Sequence, residues 1–479
     1  MDKNRIKLQK DNQIQSICLR DKWFQYVLVI IRWTKRILKI GIMFLIFQFI
    51  ICILNYIYVD EDPWYRILWH HYYQDEGKID NLYLGSSHVY CDINPEQLDR
   101  INNQYNFNMA TPSQCLNGSY YLLKEASYNN KLSHVYLELY YISSTTDNFN
   151  GNIDPIDSKE NYNKNWQNTD YMKNSLNKLI YMNSIGSIND YPAIFFPFTR
   201  FREHLDDWEY VRQTIDKKKK DSYKSYEYFE EYADGNGYGE YFGQGFFFST
   251  RNFFDENRIY EQERILSEKP MGKISEYYLK KIITHCKKEN IPITLFISPI
   301  DELQLISTEG YDYYIDQLKN IAKEYEVDFY DFNLAKEIFL PIRKGQNFRD
   351  IGHLNYSGAC LYTPFFEEVV SGTQQNAERF FYSSYEEKIM KSSPEIYGLY
   401  YKNFMDSTQI RKLHIASNRN EGMEYRISVV TNEGKEYIVQ DFCTNKSFEL
   451  PADEHGVCVI ASRLESDPGE QIQTLKINY

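Results

Sequence analysis

Two short stretches carry the residue types of nucleophilic acyl chemistry. The first is "YLGSSHVY", residues 83–90, where two serines follow a glycine. The second is "NFRDIGHLNYSG", residues 347–358, where Asp350 and His353 stand three apart. A serine hydroxyl is a weak nucleophile until a base takes its proton and donors await the developing oxyanion. His353 is of the right type for that base, and Asp350 for fixing its tautomer and stabilising the imidazolium. An Asp-x-x-His pair alone arises often by chance. It gains weight here because it follows the last predicted strand and precedes an amphipathic helix that Asn355 or Ser357 would cap. His88 follows the serines directly, but on a turn its side chain is expected to point elsewhere. Asp350 and His353 have no identifiable third partner for a metal, so neither metal nor cofactor is expected.

What must bring these stretches together is a sheet. Five short apolar runs read as buried strands: "NLYLG" (81–85), "YNFNM" (105–109), "HVYLELYY" (134–141), "IPITLFISP" (291–299) and "VDFYDFN" (327–333). Stretches of helical period lie between them, among them "SQCLNGSYYLLKEASYN" and "KISEYYLKKIITHCKKEN". Strands alternating with helices predict a parallel sheet covered on both faces, a three-layer α/β/α sandwich of flavodoxin-like kind. A serine after the first strand and an Asp-x-x-His after the last then share the sheet's C-terminal edge. The nucleophile's own N–H supplies one oxyanion donor, and the loop "NMATPSQ" after the second strand would supply another.

The chain's 479 residues suit roughly two or three domains. Residues 1–39 hold ten Lys/Arg against three Asp, so the remainder of this −13 chain carries −20. Such an acidic body argues against a nucleic-acid partner. The basic segment runs into "IGIMFLIFQFIICILNYIYV", residues 40–59, which is uncharged and long enough to cross a bilayer core. No small-residue cleavage site follows, so an uncleaved anchor is expected, with residues 1–39 cytoplasmic and 60–479 outside. "FQYVLVII" (24–31) is too short to span and is expected along the interface. The main domain then covers 60–394, interrupted by an insertion at about 142–272 that would sit as a substrate cap. There the Lys run 217–220 reads as a solvated helix end, and Arg200, Arg202 and His204 as an ordinary salt-bridged helix. Hairpin signals around "NEG" mark 395–479 as a small antiparallel β-sandwich. The eight cysteines show no CxxC and no regular spacing; Cys443 with Cys458 is the one conceivable pair.

Gly-x-Ser after the first strand, an Asn-containing turn after the second and Asp-x-x-His before the last helix together resemble the SGNH (GDSL-type) hydrolase family. The resemblance covers about 80–140 and 275–370. It makes Ser87 the nucleophile, with Ser86 where the family often has Asp. "GSSH" behind an N-terminal anchor more narrowly resembles the DltD-like branch, whose members work beside a membrane-bound O-acyltransferase in adding D-alanine to teichoic acids. Where the family carries a glycine in its second motif, this chain has Ala110 in "NMAT"; its third strand ends "LELYYIS", without the family's Asn. Asn108 and Gln114 are the remaining candidates for an oxyanion or positioning role.

The resemblance implies an extracytoplasmic serine esterase or O-acyltransferase acting on acyl groups of a cell-surface glycopolymer, with a membrane-bound O-acyltransferase as partner. A second expectation, from another class, is a catalytically silent polymer-binding or scaffolding component of such a complex.

Overall fold

A computed structural model of the chain describes residues 3–145, 167–185, 189–227, 237–252, 259–260, 268–308, 310–343, 345–372, 377–391, 394–402, 410–417, 421–451 and 453–479. Part of the predicted insertion, including 146–166, lies outside these residues. Two compact units are present: Met1–Glu61 with Asn189–Lys224, and Asp62–Ile188 with Ser225–Tyr479.

The larger unit is built on five parallel strands: β1 (Asn81–Leu84), β2 (Asn106–Asn108), β3 (His134–Glu138), β4 (Ile293–Ile297) and β5 (Asp328–Asp331). Their order is β2-β1-β3-β4-β5, with Leu82 beside Phe107 and Val135, and Leu295 beside Phe329. All five fall within the apolar runs predicted above. Four of the five are buried or nearly so along their length, as expected of strands covered on both faces. On one face Tyr83, Tyr136 and Phe296 pack around Phe366, their ring centroids 5.0–6.1 Å from it. Phe366 belongs to helix α6 (Tyr356–Val370), which Asn355 caps by accepting from the Gly358 N–H. Of the two proposed caps, then, it is Asn355 that serves. Helices α3 (Leu116–Asn129) and α4 (Lys273–Glu289) pack against each other, and α5 (Tyr311–Glu324) packs beside β5.

The C-terminal strands form two four-stranded sheets around one apolar core, including Leu399, Leu413, Tyr425, Ile427, Ile460 and Ile477. One strand of the first sheet, Ile259–Tyr260, comes from the insertion and pairs parallel with Ile396–Lys402; the other pairings are antiparallel. Cys443 and Cys458 are both free. They stand opposite Tyr425 and Val429 on the two strands flanking Met423–Thr431, so a whole strand separates them.

In the smaller unit helix α1 runs from Lys3 to Tyr58, taking in the "FQYVLVII" stretch without a break. Its Ile30–Tyr58 portion is long and apolar enough to cross a membrane. The Lys run ends the helix Trp208–Lys219, but two of its members are not solvated. Lys218 is buried, with Nζ donating to the carbonyls of Val59, Tyr56 and Asn55 at 2.6, 3.0 and 3.4 Å, and Lys217 pairs with Asp60. The open carbonyls at the end of α1 attract the Lys218 ammonium and the Asp60 carboxylate that of Lys217, a demand invisible in the Lys run itself.

Candidate active site

The C-terminal edge of the sheet assembles the two stretches. After β1 the chain turns at Gly85 and enters the short helix α2 (Ser87–Asp92), with Ser86 as its N-cap. A Cβ at Gly85 would lie 2.6 Å from both Glu138 Cβ and Val89 Cγ2, so the turn requires glycine. Ser87 is therefore the first helical residue, partly exposed, while Ser86 is buried. Buried Glu138, at the end of β3, accepts the Ser86 N–H through Oε2 at 2.9 Å. The Ser87 N–H is spent on no hydrogen bond among the described residues.

The other half lies on the loop before α6. Phe348 and Leu354 form an isolated bridge, and the Arg349 N–H donates to the His353 carbonyl at 2.9 Å, closing a tight loop. Within it Asp350 Oδ1 accepts the N–H groups of Gly352 and His353, both at 2.9 Å. Asp92, at the end of α2, accepts the Leu354 N–H at 2.9 Å. One helical turn and a half thus carries Ser87 at one end and holds the His353 loop at the other.

The outcome is a continuous relay. His353 Nδ1 lies 2.7 Å from Asp350 Oδ1, and His353 Nε2 lies 2.7 Å from Ser87 Oγ. A carboxylate can only accept, so Nδ1 carries the proton and Nε2 of the neutral ring accepts from the Ser87 hydroxyl. Burial works to raise the Asp350 pKa. The His353 hydrogen bond and charge, the Gly352 N–H and the Arg349 guanidinium outweigh it and hold the carboxyl well below its usual range. The Arg349 Nε is 3.5 Å from Asp350 Oδ2, and its guanidinium lies over the Phe247 ring at 4.6 Å. Phe247 belongs to a hairpin of the insertion (Gly239–Tyr241 with Phe247–Ser249), so part of the insertion reaches the loop that bears Asp350.

Not all expected residues join. Asn108 is fully buried; its Nδ2 donates to the Val89 carbonyl at 3.0 Å and its Oδ1 accepts the Ala110 N–H at 3.0 Å. Gln114 accepts from Thr111 Oγ1 and donates to Ser119 Oγ. Both amides are thus engaged in holding their own loop, because a buried amide must find local partners. Among the described residues no group of three His, Cys, Asp or Glu is placed to hold a metal ion.

Three residues entered without being singled out as functional. The His88 ring does not point away: it stacks on His353, centroids 4.5 Å apart, and lies tilted against Tyr140 at 4.0 Å. Its Nδ1 lies 2.9 Å from Ser86 Oγ. Burial, then the nearby His353, pushes its pKa well below the usual imidazole range. Burial pushes Glu138 up to about 7 despite its bonds to Ser86, and Asp92 well above the carboxylate range. A carboxylate in the apolar run "HVYLELYY" was the legible signal for Glu138, since a buried acid needs a donor.

A family model that carries no functional description matches residues 255–374, a stretch that includes Asp350 and His353 but not Ser87. No curated protein and no solved structure matches the chain.

Proposed function

We propose that the chain is a membrane-anchored serine esterase or O-acyltransferase of the SGNH type, nearest the DltD-like branch. The observation that carries this reading is the Ser87–His353–Asp350 relay, two contacts of 2.7 Å, one of them joining residues 266 positions apart. Ser87 Oγ would attack an ester carbonyl while His353 Nε2 takes its proton. Asp350 keeps Nδ1 protonated and steadies the imidazolium. The tetrahedral oxyanion would meet the Ser87 N–H. His353 would then protonate the departing alkoxide, leaving an acyl-enzyme on Ser87, and next activate a polymer hydroxyl or water to release the acyl group.

Layering of helices on both faces of the parallel sheet in flavodoxin-like manner belongs to the same reading. So does a cell-membrane location, with α1 crossing the bilayer, the basic segment cytoplasmic and the larger unit outside. The cell-surface glycopolymer and the O-acyltransferase partner rest on the family resemblance. The hairpin beside Arg349 would serve as part of the substrate cap.

A second reading, a silent polymer-binding component, is favoured by one observation: the Asn108 and Gln114 amides are both committed elsewhere. The two readings separate on turnover of p-nitrophenyl acetate by the full-length protein in detergent. Acyl-enzyme formation gives a burst of nitrophenol that Ser87→Ala abolishes. Equal rates for wild type and Ser87→Ala would refute the enzyme reading.

A further inference from the structure

Residues 189–224 return to α1 from more than 130 positions away, and the geometry of their contact is specific. Between Phe47 and Tyr58 the half-buried residues are Ile51, Leu54, Asn55, Ile57 and Tyr58, and all but Ile57 recur at spacings of three and four. That is one face of a helix. Phe49, Ile50, Ile53 and Tyr56, on the other faces, stay exposed. Phe47 itself meets Phe196 edge to face, ring centroids 6.0 Å apart. From Phe47 to Tyr58 the helix rises about 16 Å, roughly half the thickness of a bilayer's hydrocarbon core.

The covering segment is sorted by polarity along that length. Its deep end, "YPAIFFPFT" (191–199), has no charge. At its shallow end Tyr210 Oη donates to the Tyr58 carbonyl at 2.9 Å, and Lys217 and Lys218 meet Asp60 and the last carbonyls of α1. Apolar residues thus lie beside apolar turns, and charges beside the charged end, as in a segment that enters a bilayer from one side.

Irregular backbone survives in hydrocarbon only where protein satisfies its polar groups. Here that requirement is met locally. The Phe198 N–H donates to Asn55 Oδ1 at 3.1 Å, which gives that amide, one of two in the apolar stretch, a partner. Arg200 Nε donates to the Ala193 carbonyl at 2.8 Å. Pro192 and Pro197 have no N–H to satisfy. Phe195, Leu205 and Trp208 nevertheless remain exposed, at 41%, 52% and 82%.

We propose that residues 191–199 form a wedge embedded in one leaflet, docked on the C-terminal half of α1, with Phe195 against lipid acyl chains and the charged stretch 200–204 and Trp208 at headgroup level. It rests on the reading of α1 as a membrane anchor. The occupant of the exposed apolar surface is lipid, because that surface continues the exposed apolar faces of α1.

The test places 4-fluorophenylalanine at position 45, 195 or 128 of the full-length chain in phosphatidylglycerol–phosphatidylcholine nanodiscs. Fluorine relaxation by dissolved oxygen, which collects in hydrocarbon, is compared with relaxation by a water-soluble gadolinium chelate. Leu45 reports on the anchor and Tyr128, almost wholly exposed, on water. The oxygen-to-chelate ratio at 195 is expected to match that at 45 and exceed that at 128 by about fivefold or more. A ratio at 195 equal to that at 128, with 45 in lipid, overturns the wedge and leaves the anchor standing. Protection of 195 from both agents also overturns it, since protein would then cover the site. Chelate access at 45 removes the anchor reading itself, and the wedge with it.

Discussion

The ring of His88 lies against the ring of His353, their planes 23° apart and their centroids separated by 4.5 Å. His88 is buried and its pKa is driven well down, so the neighbour that His353 meets when it takes a proton is an uncharged one. A neutral wall fixes the imidazole's orientation without repelling the imidazolium. His88→Ala is therefore expected to slow fluorophosphonate labelling of Ser87 by about tenfold to a hundredfold, the cost of a misplaced base. Labelling at the wild-type rate in a folded variant would leave His88 without a positioning role.

Asp350→Asn should slow the same labelling by on the order of 10³–10⁴-fold, because the amide favours the wrong tautomer. The sign of its stability effect follows from its depressed pKa. A carboxyl lowered in the folded state contributes stability that is complete above its unfolded pKa, about 3.9, and is lost as pH falls through the folded value. The variant's deficit in urea midpoint should therefore be present at pH 7 and shrink below pH ~4. A deficit that grows on acidification would contradict this assignment.

Glu138 behaves oppositely. Its pKa is pushed up to about 7 by burial, so ionising it in the fold is unfavourable. That penalty is absent below the unfolded value near 4.3, sets in as pH rises and levels off above about 7. Glu138→Gln keeps an acceptor for the Ser86 N–H and removes the penalty. Relative to wild type it should gain up to about 3 kcal/mol at pH 8 and nothing at pH 4. Parallel stability curves for the two proteins between pH 4 and 8 would show that Glu138 is not held this way.

Asn108 separates structural from catalytic service. With its amide bridging the Val89 carbonyl and the Ala110 N–H, Asn108→Ala should cost roughly 1–3 kcal/mol of stability by stranding those groups. Labelling of the variant that remains folded should stay within a few-fold of wild type. A loss of 10²–10³-fold with unchanged stability is what an oxyanion donor would give.

Much of this arrangement was readable in the chain. The five apolar runs gave the parallel sheet, and sheet geometry then required "GSSH" and "DIGH" to share an edge. The details that depend on neighbours distant in sequence were not readable. Asn108 reads as a free donor until Val89 and Ala110 are seen to occupy it, and Lys218 reads as solvated until the end of α1 meets it. His88 reads as pointing elsewhere because a turn residue's direction depends on what packs against it, here Tyr140 and His353. Cys443 and Cys458 illustrate the same limit, since strand order decides which cysteines approach.

The proposed chemistry stands on Ser87 being an activated nucleophile. It is tested most directly by treating the full-length protein with a fluorophosphonate and mapping the adduct by peptide mass spectrometry. A single adduct on Ser87 is expected, lost in Ser87→Ala and in His353→Ala. Absence of any adduct on folded wild-type protein, or an adduct on another serine that survives His353→Ala, would contradict it.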